Sequence, residues 1–166
     1  MIIDQKKLFN HEECEEIIYL SKINPQKWNS SDRKYNSSTI VYNEHSKWIY
    51  DKLKNFFEET SNQVLITLKK EIHFHTFDEN DKFDLHNDAL DRRIFSVGVL
   101  LNDDFVGGDF NLYVPSKITL DKVKGNCYIF DASISHEITP ILSGIRNSLI
   151  WFIQDNHVKI SPKKII

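Results

Sequence analysis

Phe83-Asp84-Leu85-His86-Asn87-Asp88 is the stretch whose reading decides the fold. Apolar Phe83 and Leu85 alternate with polar Asp84, His86 and Asp88, with Asn87 the exception, so the run predicts a strand with one apolar and one polar face. On such a strand His86 and Asp88 leave the same face. One imidazole and one carboxylate there, joined by His136 from another strand, make a two-histidine, one-carboxylate donor set suited to non-haem Fe(II) with open positions. Arg146 follows His136 by ten residues and offers a second charge near that centre.

Downstream, residues 94–101 are a nearly continuous apolar run closed by Asn102-Asp103-Asp104, which predicts a buried strand. Gly107-Gly108 introduces Phe110-Asn111-Leu112-Tyr113. Residues 126–131, 134–139 and 145–153 complete the series, with Pro140 and Ser143-Gly144 in the last turn. Upstream, residues 64–77 are β-like and Glu79-Asn80-Asp81 is a turn. Further back, residues 1–9 read as a lead-in strand. Asn10 with Glu13 is a capping box, and Cys14, Ile17 and Ile18 place a helix over 11–22. Residues 24–43 are polar and turn-rich and read as a loop, its 28–39 stretch being connector or substrate lid. Trp48, Ile49, Leu53, Phe56 and Phe57 mark a second helix over 45–61 that needs an apolar partner.

Two helices followed by roughly eight short strands predict an α+β fold. The expected core is a double-stranded β-helix, jelly-roll and cupin-like, with the N-terminal helices packed on one sheet. The expected organisation is a single domain over 1–166: helical support and loop at 1–62, β-helix core at 63–155, tail at 156–166.

Composition fits that expectation. At 166 residues, with 40% hydrophobic and 27% charged residues, the chain has the balance of a soluble globular domain with a full core. Eleven Phe, six Tyr and three Trp against two Cys point to a core built by packing, with Cys14 and Cys127 reduced and buried. A net charge of −3 gives no footprint for nucleic acid. No signal-peptide pattern follows Met1 and no apolar run approaches the ~20 residues that cross a bilayer, so no membrane association is expected and the expected compartment is cytoplasmic.

The final turn carries the chemistry further. If it spans residues 140–144, Thr139 pairs with Ile145 and His136 falls opposite Ser148, so Arg146 and Ser148 share a face with the metal. A rise of about 3.4 Å per residue sets Arg146 two residues, or about 7 Å, along the strand from His136. That offset suits a five-carbon 2-oxo diacid, 2-oxoglutarate, that chelates the metal at one end. Its other carboxylate would meet the planar guanidinium fork, with the Ser148 hydroxyl as a second donor.

His-x-Asp alone carries little, since such pairs also serve as turn and edge polar groups. Of the seven histidines, however, only His86 has Asp two residues on. A rival metal pattern is His73, His75 and Glu79, a cupin-like His-x-His-x3-Glu run that lacks cupin glycines and any phased anion anchor; barrel-lining or surface histidines are its plainer reading. Gly107-Gly108 is either a bulge or turn or a substrate contact. Trp151, on the face opposite Arg146, is expected in the core.

His86-Asn87-Asp88, a gap of 47 residues, His136, nine residues and Arg146 resembles the Fe(II)/2-oxoglutarate dioxygenases of the prolyl 4-hydroxylase type. Leu100-Leu101-Asn102-Asp103 through Gly107-Gly108-Asp109-Phe110 and His136-Glu137-Ile138-Thr139-Pro140 with Gly144-Ile145-Arg146 resemble two further segments of that family. Residues 146–154 are similar to its bacterial PKHD-type branch. The resemblance implies iron held by His86, Asp88 and His136, with the far carboxylate of 2-oxoglutarate on Arg146. O2 is the implied oxidant and ascorbate an optional reductant. The implied activity is a hydroxylase that releases succinate and CO2, with a prolyl or other peptidyl side chain as acceptor; a free amino acid or small metabolite is the alternative. A non-catalytic cupin-like binding module is the alternative of another class. Many relatives carry a Tyr nine or ten residues before the first ligand, where this chain has Phe77 and Thr76, which leaves Thr76 as a stand-in toward the cosubstrate. Phe152 departs from the nucleic-acid-repair branch, which has a second Arg there, and the presence of Asp88 departs from halogenases.

Overall fold

Alternating strands with one dry face must stack in pairs of sheets, and these do. The computed structural model describes residues 3–23 and 35–162. In chain order the elements are β1 (Ile3–Lys7), α1 (His11–Ile23), β2 (Asn36–Val41), α2 (Lys47–Ser61), β3 (Gln63–Leu65), β4 (Glu71–Phe77), β5 (Phe83–His86) and β6 (Arg93–Leu100). There follow β7 (Val106–Gly107), β8 (Phe110–Val114), β9 (Ser116–Thr119), β10 (Asn126–Asp131), β11 (Ser135–Ile138), β12 (Ile141–Ser143), β13 (Arg146–Gln154) and β14 (Val158–Ile160). A six-stranded sheet runs β1-β10-β6-β13-β4-β2 and a four-stranded sheet β5-β11-β8-β9, all neighbours antiparallel. Two ribbons, β12 with β7 and β14 with β3, complete the architecture. This is an α+β jelly roll with both helices on one sheet.

Alternation along β13 sorts the two cores. Leu149 and Trp151 join the helix residues Ile17, Leu53 and Phe57 on the outer face of the large sheet. Between the sheets lie Phe77, Leu100, Phe110, Leu112 and Phe130. The capping box forms in both directions: the Glu13 amide donates to Asn10 Oδ1 at 2.8 Å and the Asn10 amide to Glu13 Oε1 at 3.0 Å. Tyr50 Oη donates to the Ile40 carbonyl (2.6 Å) and Trp151 Nε1 to that of Lys69 (2.8 Å), so these buried polar atoms are satisfied. Cys14 and Cys127 are free, buried thiols. Among the described residues no helix is long and apolar enough to cross a membrane.

Four sequence expectations are corrected. The 24–43 loop contains β2, whose Ser37, Ser38 and Ile40 are buried. Its polar composition belongs to an edge strand, where pairing with β4 overrides turn propensity. Residues 24–34 lie outside the described residues, and with them most of the connector or lid expected at 28–39. The 156–166 tail contains β14, which pairs with β3 through Val158↔Leu65; residues 163–166 lie outside the description. The strands number fourteen among the described residues, because short ribbons hide in what reads as loop.

Finally, residues 136–148 do not close a hairpin. β12 intervenes and pairs with β7, so β11 and β13 belong to opposite sheets. His136 lies opposite His86 and Leu112, and Ser148 opposite His75 and Leu100. Gly107 makes this crossing feasible: with φ at +74°, a Cβ there would stand 2.4 Å from the Pro140 carbonyl oxygen. Gly107 is therefore a point of close backbone approach.

Candidate metal centre

β5 and β11 are neighbours, and their register sets His86 directly beside His136. Asp88 lies two residues past the end of β5, its amide donating to the Ala132 carbonyl at 2.8 Å. Each imidazole meets a backbone carbonyl through Nδ1, His86 that of Asp84 at 2.7 Å and His136 that of Ile134 at 2.9 Å. A carbonyl only accepts, so Nδ1 carries the proton and each Nε2 presents a lone pair. Both Nε2 atoms stand 3.4 Å from Asp88, one from each carboxylate oxygen. One ligand atom from each residue can be chosen so that all lie within 4.8 Å of one another. His86 Nε2 is buried with no hydrogen-bond partner, an unmet need that a metal ion answers. Two imidazoles and one carboxylate, with no thiolate, fit Fe(II) in a facial arrangement.

The surroundings favour the ligating forms. Burial pushes the Asp88 carboxyl upward, yet His86, His136 and the Ser96 hydroxyl outweigh it and hold its pKa below the ordinary value. Ser96 Oγ donates to Asp88 Oδ2 at 2.6 Å, fixing the carboxylate from the other sheet. Burial lowers the His136 pKa against the opposing pull of Asp88, which favours the neutral, ligating ring.

Arg146, only 2% exposed, lies deeper between the sheets. Its Nη1 donates to Ser148 Oγ at 2.9 Å, its Nε is buried without a partner, and it makes no ion pair among the described residues. Phe77 and Phe110 flank it at 5.5 and 6.0 Å, and the buried Tyr128 phenol sits beside it. Burial lowers the guanidinium pKa but cannot discharge it. A cavity of about 230 Å³ connects the groups: His86, Asp88, His136, Tyr128 and Ser148 line it. Arg146 opens instead on a small adjoining space of about 20 Å³, sharing Tyr128 and Phe110 as walls.

Two expectations fail here. Thr76 points away from the cavity, since β4 turns Phe77 inward; its hydroxyl donates to Asn147 Oδ1 (3.1 Å) over a surface groove beside α1. His73, His75 and Glu79 form no ligand cluster among the described residues. The two rings line the cavity mouth 6.4 Å apart between centroids, while Glu79 is exposed beyond the strand. The sequence reading missed Ser96, Tyr128 and Tyr35. Ser96 had a signal, as the one hydroxyl inside the apolar 94–101 run. Tyr35, stacked on Phe77 at 4.7 Å between centroids, had none, because it comes from the turn-rich segment.

No family model and no curated protein sequence matches the chain. Solved structures do. A 2OG-Fe(II) oxygenase family oxidoreductase from Burkholderia pseudomallei superposes with a TM-score of 0.72 at 16% identity, over 90% of this chain and 84% of that one. The chain has the fold of the 2-oxoglutarate/Fe(II) oxygenases. A Pseudomonas putida prolyl-4-hydroxylase shares this oxygenase fold with a TM-score of 0.72 at 18% identity, over 92% of both chains. A Trichoplax adhaerens prolyl hydroxylase, in complex with a hypoxia inducible factor oxygen degradation domain peptide fragment, reaches 0.75 at 15% identity, over 93% of this chain and 84% of that one. The oxygenase fold thus extends over both sheets and the helical support.

Proposed function

We propose that the protein is an Fe(II)- and 2-oxoglutarate-dependent dioxygenase that hydroxylates a C–H bond of a prolyl or other peptidyl side chain. The observation that carries the reading is Arg146: a buried guanidinium with no carboxylate partner among the described residues, in the same inter-sheet space as the His–Asp–His donor set. An uncompensated buried charge is costly, and an anionic ligand removes that cost. A dicarboxylate with one end at the metal and the other at Arg146 meets both demands. The likeness to a prolyl hydroxylase bound to a peptide supports the acceptor class.

In this reading His86 and His136 would hold iron through Nε2 and Asp88 through a carboxylate oxygen. Bound with 2-oxoglutarate, Fe(II) supplies the O2-dependent oxidising chemistry that inserts a hydroxyl and leaves succinate and CO2. The protein contributes the rest. The Asp84 and Ile134 carbonyls hold both rings in the ligating tautomer, and Ser96 keeps Asp88 aimed. Arg146 and Ser148 receive the distal carboxylate, and Tyr128 stands beside them. The walls of Phe83, Phe110 and Ile138 exclude water around the reacting centre.

Anaerobic titration of Fe(II) and 2-oxoglutarate, followed by the visible charge-transfer band of the chelate, tests this. Wild type should give the band, His136→Ala should lose it, and Arg146→Ala should need roughly 10–100-fold more 2-oxoglutarate, the loss of a charge-assisted pair worth about 1.5–3 kcal/mol. A wild-type protein that binds metal without forming the band would sink the proposal.

A further inference from the structure

The cavity has a guanidinium of its own in its lining, Arg93, placed there by an irregularity in β6. Ile153 pairs with Phe95 but Gln154 pairs with Arg93, so Ile94 is an extra residue. Phe95 faces the helices, and simple alternation would send Arg93 the same way. The bulge re-aims it onto the cavity face, where it joins His73, His75, Leu90 and Phe152. Its guanidinium carbon lies 3.8 Å over the Phe152 ring centroid. The stacking holds the plane of the fork and leaves its donor edge free. Nε is buried with no hydrogen-bond partner, and among the described residues the group forms no ion pair. The nearest acidic group in the lining is no substitute: among the described lining residues Asp88 is the one carboxylate, and it is turned to His86, His136 and Ser96. Glu71, half-exposed outside the lining, sits 3.3 Å from His73 Nε2.

Among the described residues Arg93 and Arg146 therefore lack carboxylate partners, and they lie at opposite ends of β13. Gln154 is the register partner of Arg93, and eight residues separate it from Arg146, about 27 Å of strand. The donor set lies between them. We propose that the acceptor bears a carboxylate and that Arg93 binds it. The planar fork matches a carboxylate through two parallel hydrogen bonds, and anchoring it at the mouth directs the remainder of the acceptor inward to the donor set. This rests on the reading of the cavity as an oxygenase site. The carboxylate belongs either to a free amino acid or to an acidic side chain within a peptide.

The test uses the Fe(II)-loaded full chain with 2-oxoglutarate. The probes are the free L-amino acids, their C-terminal amides, and N-acetylated, C-amidated tripeptides centred on Asp, Glu, Asn, Gln or Pro. Acceptor-stimulated succinate formation and a 16 Da gain on the acceptor are measured, and calorimetry on the metal-free protein gives binding independently of turnover. Stimulation by free acids and not their amides identifies a free acid as acceptor. Stimulation by Asp or Glu tripeptides over Asn or Gln ones identifies an acidic peptide. In either case Arg93→Gln should lower acceptor kcat/KM and calorimetric affinity at least tenfold, with Arg93→Lys partly restoring both and KM for 2-oxoglutarate within twofold. If uncharged probes serve equally well, if no carboxylate-bearing probe stimulates, or if Arg93→Gln leaves acceptor affinity unchanged, the inference falls while the chelate band stands. Loss of the chelate band in wild type removes the underlying oxygenase reading instead.

Discussion

Ser96 shows what single residues decide here. It is a hydroxyl inside an apolar strand, wholly buried, and its bond to Asp88 fixes the orientation of a carboxylate that comes from the other sheet. Removing such a support costs metal affinity about 10–100-fold without touching a ligand. Ser96→Ala should therefore weaken Co(II) binding by that factor in a spectroscopic titration, and lower the stability of the metal-free protein by about 1–3 kcal/mol through the bond Asp88 loses. The placing of His86 beside Asp88 could be read from the sequence, because period-two alternation is a local rule. The partner that aims Asp88 could not, because it comes from the opposing sheet, and nothing local marks a long-range hydrogen bond. Thr76 failed for the opposite reason: family spacing suggested a position, and the alternation of β4 turned it outward.

At the level of elements, β6 and β10 share a detail that sequence patterns pass over. Gly98 sits mid-strand, where glycine weakens a sheet, and a Cβ there would lie 2.3 Å from the ring of Tyr128, its register partner. The glycine makes room for the phenol that stands beside Arg146. Gly98→Ala should cost about 1–3 kcal/mol through overpacking, seen as a lower urea midpoint at unchanged slope. In a Tyr128→Leu background the same change should cost less than half as much, since the ring is what it strikes. Both helices were legible, with boundaries close to those expected, because a capping box and a 3.6-residue period are properties of contiguous sequence. β2 and β14 were not, since they are strands by virtue of what they pair with. The expected hairpin of β11 and β13 failed likewise: β12 is three residues long and its partner β7 only two.

Across the whole molecule, the helix-side core and the metal site are separate bodies of contact. The cluster around Ile17, Leu53 and Trp151 contains none of the three candidate ligand residues. Stripping metal with a chelator should leave cooperative unfolding and far-UV circular dichroism intact, whereas Co(II) at one hundred times its dissociation constant should raise stability by about 2.7 kcal/mol. A metal-free chain that loses its cooperative transition would contradict this division. The crossing of the chain at β12 has a further consequence. Because the histidines belong to one sheet and Arg146 to the other, the gap between the layers works as a calliper. In the proposed oxygenase a shorter diacid would fall short of one jaw and a longer one would have to buckle, so cosubstrate length would be gauged by the spacing of two sheets, and residues packed between them, such as Phe130, would take part in that choice.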